Sequence, residues 1–183
     1  MKDTKTMLRF YTIADFREEE IWLREEHRNG WKLTKMRPPC FFRFEKCEPE
    51  DVIYRLDFKN FSGNSDYFQM FADYGWEYVS SCLGWLYFRK PAADVTEENE
   101  GEIFSDTATK LDMIGHIMKT RMLPCLVILL CCVLPYLRYA VEEGDAIGYV
   151  VFFSVLSVAY LYLVLYCGIK LFRLKRELET GKY

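Results

Sequence analysis

The C-terminal part of the chain limits the fold most. Ala146 to Ile169 reads AIGYVVFFSVLSVAYLYLVLYCGI, 24 consecutive residues without a charge. About 20 apolar residues of helix cross the hydrocarbon core of a bilayer. Met122 to Val141 is a second apolar run whose one charge, Arg138, lies near its end. Nothing earlier resembles these runs, and the opening stretch lacks the pattern of a secretory signal. The sequence therefore predicts a soluble domain followed by a C-terminal transmembrane helical hairpin, with the lipid bilayer as its first partner.

Only Glu142, Glu143, Gly144 and Asp145 separate the two runs, which is a turn's worth of chain. A hairpin leaves both chain ends on one side. Lys119 and Arg121 precede the first run, and Lys170, Arg173, Lys175 and Arg176 follow the second. Basic flanks stay cytosolic, so the reading is a two-pass protein of the cytoplasmic membrane with both termini in the cytosol. Pro135 predicts a kink in the first span. The alternative is a re-entrant or interfacial first segment with one true span.

Charge divides the rest. Residues 1–93 carry equal numbers of basic and acidic side chains, while Asp94 to Glu102 (DVTEENEGE) has five acids and no base. No block is basic enough to suggest direct nucleic-acid binding. Four of the seven cysteines, Cys125, Cys131, Cys132 and Cys167, fall in the apolar runs, and Cys40, Cys47 and Cys82 form no C-x-x-C pair. Reduced thiols are expected. With only His27 and His116 available, no metal site is expected, and no motif calls for a cofactor. No nucleophile elbow, phosphate loop or acid pair marks an enzyme.

The soluble part reads as an internal repeat. Gly30-Trp31 and Gly75-Trp76 are 45 residues apart, each after a helix-length stretch and before an aromatic run ending in Lys46 or Lys90. Leu8 to Ala14 and Val52 to Phe58 supply a strand before each helix. Asp15 is the expected cap of the first helix, and Gly30 and Gly75 suit the position after a helix end. Pro38-Pro39 and Cys82-Leu83-Gly84 turn the strand pairs. The fold class is α+β: a tandem β-α-β-β repeat, an antiparallel or mixed sheet with two helices. The organisation is 1–93 for this domain, 94–104 for an acidic linker and 105–121 for a juxtamembrane amphipathic helix. Residues 122–141 and 146–169 are the spans, and 170–183 is a basic cytosolic tail.

Strand alternation sorts the side chains into two faces. The core face takes Leu8, Phe10, Trp31, Leu33, Phe42, Phe44, Val52, Tyr54, Leu56, Phe58, Trp76, Tyr78, Leu86 and Phe88. The other takes Arg9, Tyr11, Phe41, Arg43, Glu45, Arg55, Asp57, Trp85, Tyr87 and Arg89. Arginines interleaved with aromatics suit a surface that binds a small-molecule ligand or a partner protein. They also suit a merely solvated face with Arg stems lying across rings.

Several pieces resemble one bacterial family, domain of unknown function 2812. They are Trp22-Leu23, Gly30-Trp31, Tyr54-Arg55-Leu56-Asp57-Phe58, Gly75-Trp76-Glu77-Tyr78-Val79, Tyr87-Phe88-Arg89-Lys90 and Glu102-Ile103-Phe104-Ser105-Asp106. The likeness covers roughly residues 8 to 120, and Glu26-His27 departs from it. It implies a membrane-anchored protein, often encoded beside PadR-type regulators, with no activity or catalytic residue attached. The functional expectation is a membrane-anchored cytosolic sensor or adaptor in a bacterial regulatory circuit. The alternative is an accessory subunit of a membrane complex acting through its hairpin, where Ser154, Ser157, Ala159 and Gly168 permit close helix approach.

Overall fold

In the computed structural model, which describes residues 3–59, 65–95, 107–142 and 147–180, the chain divides into two units, Met1–Asp106 and Thr107–Tyr183. The first runs β1 (Thr4–Leu8), α1 (Phe16–Arg28), β2 (Trp31–Arg37), β3 (Phe41–Lys46), β4 (Val52–Phe58), α2 (Ser65–Asp73), β5 (Glu77–Cys82) and β6 (Trp85–Pro91). The α+β class is as expected. The strands form two antiparallel sheets, sheet A in the order β1-β3-β2 and sheet B in the order β4-β6-β5.

The same local devices recur in both halves. Register shifts fall between Leu33 and Lys35 in β2 and between Tyr78 and Ser80 in β5. Gly30 and Gly75 follow their helices with φ of 83° and 79°, a backbone region that L side chains disfavour. At Gly30 an added Cβ would also lie 3.1 Å from the Cys47 carbonyl oxygen. Leu83 and Gly84, both at positive φ, form the two-residue loop between β5 and β6. Such primed turns match the twist of the strands they join.

The first strand departs from the expected Leu8–Ala14. It lies at Thr4–Leu8, paired with β3 from Thr4↔Glu45 to Leu8↔Phe41. The reason is local. The Asp15 carboxylate accepts hydrogen bonds from the Thr12 amide at 2.9 Å and the Thr12 hydroxyl at 2.5 Å, folding residues 12–15 into a turn. Asp15 therefore precedes α1 without capping it through its side chain.

Helix α1 lies in the angle between the two sheets. On one side Trp22 meets Phe42 and Phe44 of sheet A, edge to face at 5.0 and 5.6 Å. On the other, Phe16 meets Trp85 at 5.3 Å and His27 meets Tyr54, both of sheet B. Residues 16, 20, 23 and 27 recur at helical spacing, and Trp22 stands about 100° round the helix from them. Arg24 and Arg28 both grip Asp51 just before β4. The opposite face of sheet B carries α2, where Phe71 joins Ile53, Trp76, Leu86 and Phe88. Strand β2 runs beside β5, and side chains bridge them: the Met36 amide donates to the Ser80 hydroxyl at 3.2 Å.

The second unit begins with an unbroken helical path. Helices α3 (Thr107–Ile117), α4 (Leu123–Ile128) and α5 (Leu134–Glu142) are joined by π-helical turns, Met118–Met122 and Leu129–Val133. Proline clashes with the carbonyl four residues back and removes its hydrogen bond. For Pro124 and Pro135 those positions are Thr120 and Cys131, one inside each π turn. No break separates a juxtamembrane helix from a span at residue 121. Helix α6 (Ile147–Glu179) likewise continues through most of the basic tail.

Helix α6 contacts α3, α4 and α5, as in a hairpin. Tyr136 packs tilted against Phe153 with ring centroids 4.3 Å apart, and Ile114, Ile117, Leu171, Leu174 and Leu178 are buried. Ala108–Tyr139 and Ile147–Glu179 span 32 and 33 residues with peak mean hydropathies of 2.1 and 2.3. Only 17% and 11% of those most apolar stretches are buried. A core helix of a water-soluble protein would be mostly covered. These two helices are long and apolar enough to cross a membrane, and their uncovered surface is of the kind lipid solvates.

Candidate functional site

The predicted Arg/aromatic face does not exist as one surface. Strands β4 and β6 pair Tyr54↔Arg89, Leu56↔Tyr87 and Phe58↔Trp85. Directly opposed residues share a face. Trp85, Tyr87 and Arg89 therefore stand with Tyr54, Leu56 and Phe58, toward α1. Arg55 and Asp57 belong to the other face, with Leu86 and Phe88. Both faces of sheet B are covered by helices, so Trp85 and Tyr87 are buried and Asp57 is 2% exposed. Tyr11 packs against Trp22 and Phe42 on the core side of sheet A, and the exposed Arg9 lays its guanidinium over Tyr11 and Trp22. The Tyr11 hydroxyl is buried with no hydrogen-bond partner among the described residues, and burial pushes its pKa up to about 12. Of the predicted set, Phe41 and Arg43 remain together on an open sheet face, beside Glu45.

Between α1 and sheet B runs a buried polar seam. Tyr87 donates to Glu19 at 2.7 Å. Burial raises the Glu19 pKa from 4.5 to about 7, against the lowering effect of that hydrogen bond. Burial also raises the Tyr87 phenol, with the Glu19 charge adding to the shift. Glu20 accepts from the Leu56 amide at 2.7 Å and so closes the outer edge of β4, with Arg55 at 3.5 Å. His27 Nδ1 and the Tyr54 hydroxyl are 2.8 Å apart. Burial lowers the His27 pKa to about 4, and Arg89 and Lys32 add to the effect. Arg89 holds Glu77 through two hydrogen bonds of 2.7 and 2.6 Å and reaches the Leu33 carbonyl at 3.2 Å. On the α2 side, Tyr67 donates to Asp57, whose carboxyl is raised by burial. These contacts lock the helices onto the sheet.

The outer face of sheet A is the open one. Its register arranges three rows across the strands in the order β1, β3, β2. The first row is Leu8, Phe41 and Arg37, the second Thr6, Arg43 and Lys35, and the third Thr4, Glu45 and Lys32. Leu8 is 58% exposed and Phe41 43%, with Phe10 just past the strand at 74%. Four cations and one acid share this face. Lys35, Arg37 and Arg43 are exposed and make no ion pair among the described residues. Leu8 and Phe10 thus move from the expected core to the surface. Tyr78, also assigned to the core, is 42% exposed.

Sequence reasoning missed Glu19, Glu20, His27, Lys35 and Arg37. Glu19 and Glu20 read as acids favouring a helix N-terminus. The available signal was spacing, because residues 16, 19, 20, 23 and 27 share one helix face with Phe16 and Leu23. Among the described residues no group of three or more His, Cys, Asp or Glu could hold a metal ion.

A family model described as a protein of unknown function, DUF2812, matches residues 15–127. That is more than half of the chain. The chain belongs to the DUF2812 family. The DUF2812 match begins just before α1, takes in β2 to β6 but not β1 of sheet A, and runs through α3 into α4. It therefore includes the entry to the first apolar helix as well as the α+β unit from α1 onward. No curated protein and no solved structure matches this chain.

Proposed function

We propose that this DUF2812 protein is a membrane-anchored sensor or adaptor that recognises an anionic partner through the outer face of sheet A. Its setting is a bacterial regulatory circuit of the kind the family resemblance implies, with a PadR-type regulator downstream. The observation that carries the reading is the contrast between the sheets. Sheet B is covered on both faces, whereas sheet A leaves one face open with exposed apolar side chains and with Lys35, Arg37 and Arg43, which make no ion pair among the described residues. Open apolar area beside cations is unusual on a monomer unless something binds there.

Two apolar helices supply the anchor in this reading, with both chain ends in the cytosol. Lys119, Arg121, Lys170, Arg173, Lys175 and Arg176 flank the two apolar runs on that side, and Glu142, Glu143 and Asp145 lie between the runs in sequence. The recurrence of strand order, register shift and terminal glycine supports an origin of the α+β unit by duplication. The accessory-subunit alternative is the weaker one, because Ser157 is buried and Gly168 lies near Met122 within the helical unit. The test is isolation of the full-length chain from native membranes, with and without Phe41→Ser and Arg43→Glu. The parent retains an anionic partner that the variant loses. Identical co-purifying material from both would overturn the proposal.

A further inference from the structure

We infer that the occupant of the outer face of sheet A is an anionic lipid surface, the headgroup layer of the bilayer that the chain's own helices enter. This rests on the reading of that face as a recognition surface and names what it takes. The argument begins with the order of the rows. Leu8 and Phe41 lie in the first row, at the end of the sheet where β1 finishes and where Pro38 and Pro39 join β2 to β3, and Phe10 follows two residues on. Arg37 lies in the same row beside Phe41. Arg43 and Lys35 form the next row, and the one acid, Glu45, is held back to the third.

Apolar side chains at the tip with cations behind them match the layering of a membrane interface. Leucine and phenylalanine enter the acyl boundary while Arg and Lys meet phosphates. A folded acidic protein offers no reason for that gradient along the strands. Reach also favours lipid. The same chain carries two helices long and apolar enough to cross a membrane. Docking is then intramolecular, and even a weak surface is occupied at the high effective concentration a tether gives.

The test places the photoreactive residue p-benzoylphenylalanine at Phe41 in the full-length chain. The chain is reconstituted in nanodiscs of zwitterionic or partly anionic lipid, and in parallel irradiated in native membranes. The expected product is a lipid adduct that forms in anionic but not zwitterionic discs. Combining Lys35→Gln, Arg37→Gln and Arg43→Gln shifts the docking equilibrium by about 100-fold toward the free form, from roughly a fivefold contribution per charge. All three side chains are exposed, so the tryptophan-monitored melt of the variant stays at that of the parent. Should the substitutions disturb the fold, the unsubstituted chain at raised salt gives the same loss by screening. Equal adduct yield in both lipids overturns the inference. An adduct to a protein in native membranes overturns the lipid assignment and leaves the recognition surface standing. No adduct of either kind there removes both.

Discussion

Glu19→Gln isolates the energy stored in the seam between α1 and sheet B. In the folded chain burial raises the Glu19 pKa from 4.5 to about 7, with Tyr87 pulling the other way and Asp15 adding a further rise. An acid whose folded pKa exceeds its unfolded value holds its proton more tightly when folded. Its contribution is complete below 4.5 and is lost as pH climbs through about 7. At about 1.4 kcal/mol per unit, the loss comes to roughly 3 kcal/mol. Glu19 is only 5% exposed, so solvent screening takes little from this figure. Glutamine keeps an acceptor for the Tyr87 hydroxyl and never ionises. The variant therefore matches the parent at acid pH and exceeds it by roughly 3 kcal/mol at alkaline pH. His27 acts with the opposite sign. Its pKa is lowered from 6.5 to about 4, so its contribution is full above 6.5 and disappears as pH falls through about 4. That slope masks the Glu19 slope in the parent but cancels in the difference between the two proteins. All four tryptophans, Trp22, Trp31, Trp76 and Trp85, lie in the first unit. Their fluorescence during urea unfolding of the full chain in nanodiscs reports that unit alone. A stability difference that stays constant from acid to alkaline pH would refute the reasoning.

Three further outcomes follow from the geometry. Glu20→Ala leaves the Leu56 amide without its acceptor at the edge of β4 and costs about 1–3 kcal/mol in the same assay, whereas Glu20→Gln retains the acceptor and costs less. Leu83→Asn relieves a left-handed residue at φ 50° that is 56% exposed, gaining about 1 kcal/mol. An unchanged melt would mean the turn carries no such strain. A reporter active only outside the cytosol stays silent when fused after Tyr183, and activity there would break the two-pass reading.

Length and apolar composition alone set out the two C-terminal helices, because crossing about 30 Å of hydrocarbon demands a long uninterrupted run. Local chemistry set out much of the rest. Val52 to Phe58 emerged as β4 with the expected bounds, and Gly30 and Gly75 ended their helices at positive φ. Such features depend on neighbours in the chain, so the chain displays them. Which residues share a surface depends on partners far away. Alternation gives each strand two faces, yet the pairing Tyr54↔Arg89 decides that Trp85, Tyr87 and Arg89 join Tyr54 while Arg55 and Asp57 turn away. Placing α1 between two sheets then buries Glu19, Glu20 and His27, which a one-sided amphipathic helix would leave in water. Alternation already turned Phe41 and Arg43 away from the core, but tertiary packing alone decided that Leu8 and Arg37 join them on an uncovered face of sheet A, because exposure depends on what fails to pack there.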